Sequence, residues 1–183
     1  MKFVQEEFSC TLEIKKSKFI TYLCPYDEFL NTMKNLKEEY PKARHFVYAY
    51  RYLNEFGQIV ENSSDDGEPK GTSGRPSLNV ISGYDIINTA VIIVRFFGGT
   101  RLGTGGLVRA YSEAVNLVIN EASFKTYEHL IIKELELEYS QISKIEYKLK
   151  KSKINIINKE FSTNVIFTLE ASAEKFHDFY QNK

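Results

Sequence analysis

The sequence predicts an α+β protein of two domains, and three features carry that reading. All ten glycines lie between Gly57 and Gly106, concentrated in the runs Ser64 to Pro76 and Arg95 to Gly106. Stretches with the two-residue period of strands alternate with stretches of helical period. After Ala122 there is no glycine and the pattern restarts in the order βαββα, so the boundary falls near Ser123 to Thr126, with domains over 1–124 and 125–183. A chain of 183 residues suffices for one large or two small cores.

In the first domain Phe8, Cys10, Leu12 and Ile14 alternate with Ser9, Thr11 and Glu13, as in a half-buried strand. A second strand runs from about Lys18 to Leu23. Pro25 suits the first turn of a helix whose apolar side is Tyr26, Phe29, Leu30, Met33, Leu36 and Tyr40; Asp27 and Glu28 fit its positive end, and Pro41 closes it. Arg44 to Leu53 reads as a strand with His45, Val47, Ala49 and Arg51 on one face and Phe46, Tyr48, Tyr50 and Tyr52 on the other. Those aromatics are core if covered, or a stacking platform for single-stranded RNA if open. A loop covers Asn54 to Arg75. Thr89 to Phe97 is nearly all apolar and β-branched, which suits a strand covered on both faces. Leu107, Ala110, Tyr111, Ala114, Leu117 and Val118 then form one face of a helix, placing Gly105 and Gly106 at or just before its start.

The second domain reads as a strand over Glu128 to Tyr139, a helix over Gln141 to Lys151, strands over Lys153 to Phe161 and Asn164 to Glu170, and a helix from about Ala173. That order predicts helices on one face of an antiparallel sheet. Lys148, Lys150, Lys151 and Lys153 suit a helix C-terminus or phosphate contacts equally.

Lys plus Arg and Asp plus Glu number 24 each, so any site for a polyanion must be local. No run reaches the roughly 18 apolar residues of a membrane helix, and Met1 to Glu7 lacks the apolar stretch of a signal peptide, so a cytoplasmic protein is expected. Cys10 and Cys24 lie in apolar surroundings and read as buried thiols rather than a disulfide or zinc site.

The two glycine runs, the stretch Ala43 to Arg51 and the segment Val91 to Gly103 (VIIVRFFGGTRLG) together resemble the Impact/YigZ family, and Lys15 to Ile20 is similar to that family's opening segment. The resemblance covers roughly Lys15 to Tyr111. It implies a first domain like domain IV of elongation factor G and a ferredoxin-like second domain. The sequence supplies the βαββα part of such a unit without its closing strand, so three strands and an open edge are expected. It departs from the family at Phe46, where several members carry a second His, so a two-histidine site is not expected. The eukaryotic member Impact is a translational regulator working through protein contacts, while bacterial members have no settled reaction; the resemblance therefore implies a role in translation.

Glycine-rich backbone between a buried strand and a helix start can direct N–H groups and the helix dipole at a phosphate. Arg95, Arg101 and Arg109 lie there with no acidic residue between Val91 and Ser112. Thr104 and Gly105 stand where a P-loop requires Lys and Ser/Thr, and no Gly-x-Gly-x-x-Gly occurs, so neither nucleotide motif is present. The competing role is structural: glycines shaping a tight crossover and arginines paired with Asp65, Asp66 or Glu68. Those carboxylates favour turn formation over a magnesium site. A Ser64, His45, Asp66 hydrolase lacks a strained nucleophile turn.

The candidate binding residues are Arg44, His45 and Arg51 on the strand, then Asp65, Asp66, Gly67 and Glu68 in the first loop. Arg95, Gly98, Gly99, Arg101, Gly103, Gly105, Gly106 and Arg109 follow in the second run. No catalytic residue, metal or cofactor is assigned. Three functions compete for this face. The first is non-enzymatic binding of the ribosome, other structured RNA or a protein of the translation machinery, with no DNA or membrane partner. The second is an enzyme or sensor for a small phosphorylated ligand, and the third is a pure protein-interaction module.

Overall fold

The computed structural model describes residues 1–181. The chain divides into two compact units, Met1–Tyr127 and a second starting at Glu128. The first contains, in order, β1 (Lys2–Phe3), β2 (Phe8–Ile14), β3 (Ser17–Pro25), α1 (Phe29–Glu39), β4 (His45–Leu53), β5 (Ile59–Ser64), α2 (Gly74–Gly83), β6 (Thr89–Phe96), α3 (Thr104–Glu121) and β7 (Lys125–Thr126). The division falls slightly later than the boundary read from the sequence, because Lys2 pairs with Thr126 and Phe3 with Lys125 and so holds β7 to the first unit.

Five strands form one antiparallel sheet in the spatial order β2-β3-β6-β4-β5. The run of Ala90, Val91, Ile92, Ile93 and Val94 is explained by β6 being central, since every one of these side chains is fully buried. Phe19, Leu23, Val47, Ala49, Val91 and Ile93 face α2 and α3. On the other face Ile20, Phe46, Ile92 and Val94 pack with Phe29, Met33 and Leu36 of α1. Each fully buried aliphatic chain stabilises the fold by about 1.5–3 kcal/mol relative to exposure. Cys24, wholly buried in this second layer, has its thiol pushed up to about 12 by burial.

The aromatic stripe of β4 belongs to the α1 layer. Tyr26 stacks on Tyr52 at 4.0 Å, and Phe29 lies 5.1 Å from Tyr48 and 5.3 Å from Tyr50. Its rings are thus occupied by protein partners. The helix expected from Pro25 starts as a 3₁₀ turn over Tyr26–Glu28, and Leu30, expected on its apolar side, is 77% exposed. The Asn54 to Arg75 segment is not one loop. It carries β5, an edge strand paired to β4 through Tyr48↔Ser64 to Leu53↔Ile59, and it ends as α2 begins.

The second unit contains β8 (Leu130–Leu137), α4 (Ile142–Lys151), β9 (Asn155–Phe161), β10 (Val165–Ser172) and α5 (Ala173–Gln181). Its antiparallel sheet has the order β8-β10-β9, the three-stranded arrangement expected, with β8 an edge strand among the described residues. Leu137, Leu149, Val165, Phe167, Leu169 and Phe176 form its core on the helix-covered face. The opposite face carries Glu134 and Glu136 of β8, Glu160 of β9 and Glu170 of β10. No helix among the described residues is long and apolar enough to cross a membrane.

Candidate functional site

The glycine runs meet at the end of the first unit where β4 starts and β6 ends. His45 is opposite Arg95 across these strands, and Phe19 of β3 flanks Arg95 on its other side. Arg95 therefore points to the face covered by α3, where it is only 7% exposed. Its Nη1 donates to Glu68 Oε1 at 2.5 Å, and the buried Tyr111 hydroxyl donates to the same oxygen at 2.8 Å. Burial, reinforced by the adjacent Glu68 carboxylate, pushes the Tyr111 phenol well above its usual range and keeps it a neutral donor. The Arg95 guanidinium also sits 5.4 Å from the Phe19 ring centroid and 5.9 Å from that of Phe97. This network clamps β6, the first glycine loop and α3 together.

The neighbouring acids are equally committed. Asp65 Oδ1 accepts from the N–H groups of Ser73 (3.1 Å) and Gly74 (2.8 Å) and from the Ser73 hydroxyl (2.8 Å), while Oδ2 accepts from Gly71 N–H at 2.7 Å. Burial opposes ionisation, but these donors outweigh it and hold the carboxyl below its ordinary range. Asp65 thus caps α2 from a distance, satisfying N–H groups at that helix's start. Asp66 Oδ2 accepts from Phe46 N–H at 2.6 Å, and its carbonyl oxygen lies 2.8 Å from His45 Nδ1. A carbonyl only accepts, so Nδ1 carries the proton and Nε2 is the ring nitrogen without a partner among the described residues. Asp66 (φ +41°) and Gly67 (φ +83°) make the turn, and a Cβ on Gly67 would stand 3.5 Å from the imidazole. No Ser-His-Asp relay forms, because His45 bonds the backbone of Asp66 rather than its carboxylate.

The glycines of the second run have separate jobs. A Cβ on Gly98 would lie 2.0 Å from the Lys16 carbonyl carbon, so this glycine lets the β2–β3 turn cross the loop, and its N–H donates to Ser17 Oγ at 3.1 Å. Gly99 and Gly103 adopt φ of +86° and +73°. Helix α3 begins at Thr104 with Gly105 and Gly106 inside its first turn, slightly earlier than expected. It has no side-chain cap and no acidic residue there; Leu107 N–H is the first to bond back, to Gly103 O at 2.9 Å. The N–H groups of Thr104, Gly105 and Gly106 have no partner among the described residues.

Two clefts open beside this framework, and both are lined by Arg95 and Phe97. One, of about 390 Å³, includes Lys42, Arg44 and His45. The other, of about 340 Å³, includes Glu68, Pro69, Arg101, Leu102, Gly103, Thr104 and Leu107. Arg44, Arg101 and Arg109 are exposed, and none forms an ion pair among the described residues. Arg109 is on α3, outside both cleft linings.

Two of the residues expected to bind a ligand take a different role in the fold. Arg95 is buried, with its Nη1 paired to Glu68. Arg51 is elsewhere: at the other end of β4, opposite Thr89, it donates to Glu61 Oε1 at 2.7 Å and to the Ile86 carbonyl at 2.8 Å. Phe97 and Lys42 were not singled out by sequence reasoning, although Phe97 is 58% exposed. The available signal was that glycines follow Phe97 immediately, so the apolar run must end there uncovered. Among the described residues no group of three or more His, Cys, Asp or Glu gathers to hold a metal ion.

Residues 15–119 match the family model of the Impact N-terminal domain, and residues 135–181 match a domain of unknown function (DUF1949). The chain is 35% identical over 173 residues to an IMPACT family member of Haemophilus influenzae, covering 91% of this chain and 82% of that protein. It is 34% identical over 170 residues to the IMPACT family member YigZ of Escherichia coli, covering 91% and 83%. A crystal structure of a hypothetical protein superposes with a TM-score of 0.65 at 31% identity, covering 97% of this chain and 88% of the other.

Proposed function

The chain belongs to the Impact family, and from that premise we propose that it is a translation-associated protein that binds structured RNA, with the ribosome as its principal source, through the cationic end of the first unit. The translation part of this reading rests on the family, whose eukaryotic member regulates translation. The RNA part rests on the charge state of the site. Asp65, Asp66 and Glu68 are all engaged by internal donors, which leaves three arginines exposed and unpaired: Arg101 beside the uncapped start of α3, Arg109 in the second turn of that helix, and Arg44 in the cleft with His45. Backbone N–H groups at a helix N-terminus and unpaired arginines are the usual ligands of phosphate. The local charge is positive although the whole chain is neutral.

Binding rather than catalysis suits the same facts. The carboxylates of Asp65, Asp66 and Glu68 are each held in structural hydrogen bonds, and His45 keeps only Nε2 without a partner among the described residues. The test is sedimentation of the purified protein with ribosomes and with bulk RNA across a salt series, beside an Arg44→Ala, Arg101→Ala, Arg109→Ala variant. Arg95 is left intact because its loss would disturb folding. Salt-sensitive binding by the wild type that the variant loses is the expected result, and absence of binding to either even at low salt contradicts the proposal.

A further inference from the structure

The cleft between the end of β6 and the start of α3 carries a more specific assignment, which rests on the RNA reading above. We propose that it receives one unpaired nucleotide, with the base lying against Phe97 and the phosphate held by Arg101 and the free N–H groups of Thr104 to Gly106.

The walls of the cleft suit a base. Phe97, Pro69, Leu102 and Leu107 form the apolar part of the lining of this open cleft of about 340 Å³, within the range of small-ligand sites. A single exposed Phe is ordinary on a protein surface. Phe97 differs because cationic groups border it on both sides, Arg44 and Lys42 in one cleft and Arg101 in the other. Its ring also approaches the Arg95 guanidinium at 5.9 Å, which tethers it. Aromatic rings flanked by cations are how proteins hold splayed-out bases, and truncating such a ring to alanine weakens binding on the order of tenfold or more.

The rim suits a phosphate. Glu68 also lines the cleft, but its carboxylate accepts from Arg95 and Tyr111 and so presents little net repulsion. Arg95, over nine-tenths buried and lining the same cleft, keeps its Nε without any hydrogen-bond partner. That nitrogen has almost no accessible surface, so Arg95 adds positive charge to the wall rather than a contact. The α3 start supplies three free backbone donors, of which that of Thr104 lies on the cleft lining.

The nucleotide could come from an RNA strand or from solution, and the experiment separates the two. Full-length protein is titrated with an RNA hairpin carrying 2-aminopurine in an unpaired loop, with a fully paired duplex of equal length, and with adenosine 5′-monophosphate. The wild type is expected to prefer the hairpin and to alter the 2-aminopurine fluorescence. Phe97→Ala should weaken hairpin binding on the order of tenfold or more, leave duplex binding and its salt slope unchanged, and retain a wild-type circular dichroism spectrum; Phe97→Tyr should restore the preference. Equal hairpin affinity in wild type and Phe97→Ala, or an equal loss for hairpin and duplex, overturns the proposal. Phe97-dependent binding of the mononucleotide without hairpin preference overturns RNA as the source. Failure of hairpin and duplex alike to bind the wild type refutes instead the RNA reading beneath it.

Discussion

Asp65 and the Arg95–Glu68 pair show what individual side chains contribute. Asp65 is ionised more readily in the fold than in the unfolded chain, because N–H groups at the α2 start favour its charged form. Its stabilisation is therefore complete above the unfolded carboxyl pKa of about 4 and fades as pH falls through the lower folded value. Asp65→Asn should lower stability by about 0.5–2 kcal/mol at pH 7, the usual worth of a cap, and the gap from wild type should narrow in urea melts as pH falls below about 4. The pair is more demanding. Arg95→Ala leaves the Glu68 carboxylate buried and uncompensated, so denaturant midpoints should report a loss of about 3–5 kcal/mol. Arg95→Met with Glu68→Gln together should lose less, because no charge is then stranded.

At the scale of elements, the glycine-rich loop serves packing and binding at different positions. Gly98→Ala must push its Cβ into the Lys16 backbone, and thermal melts should show a loss of about 1–3 kcal/mol. Gly105→Ala meets nothing within 4 Å, and alanine favours a helix, so its Tm should hold or rise. Which elements were legible from sequence follows from how local their causes are. β6 was readable because a strand buried on both faces must be apolar at every position, and α3 because its buried stripe repeats at helical spacing. α2 was not, since it opens with Gly74, Arg75 and Pro76 and takes its cap from Asp65, nine residues before Gly74. β5 was not, because an edge strand of Glu61, Asn62, Ser63 and Ser64 has no apolar alternation to announce it. For the site, the sequence located both loops, but it could not say which arginine is consumed. Arg51 and Arg95 are paired and Arg44, Arg101 and Arg109 are not, a distinction that depends on contacts 10 and 27 residues apart in the chain.

For the whole molecule, a net charge of zero conceals segregation. The first unit gathers unpaired arginines at one end, whereas the open sheet face of the second displays Glu134, Glu136, Glu160 and Glu170. A polyanion is attracted to the former and repelled by that acidic face, and in this account the first unit supplies the RNA contact. The measurement that tests this most directly is the dependence of the observed ribosomal-RNA association constant on salt, for the wild type and for the Arg44→Ala, Arg101→Ala, Arg109→Ala variant. Each lost phosphate contact flattens the log–log slope by about 0.7–0.9, so the account predicts a variant slope shallower by about 2–3 together with weaker binding at low salt. Identical slopes and affinities for the two proteins would contradict it.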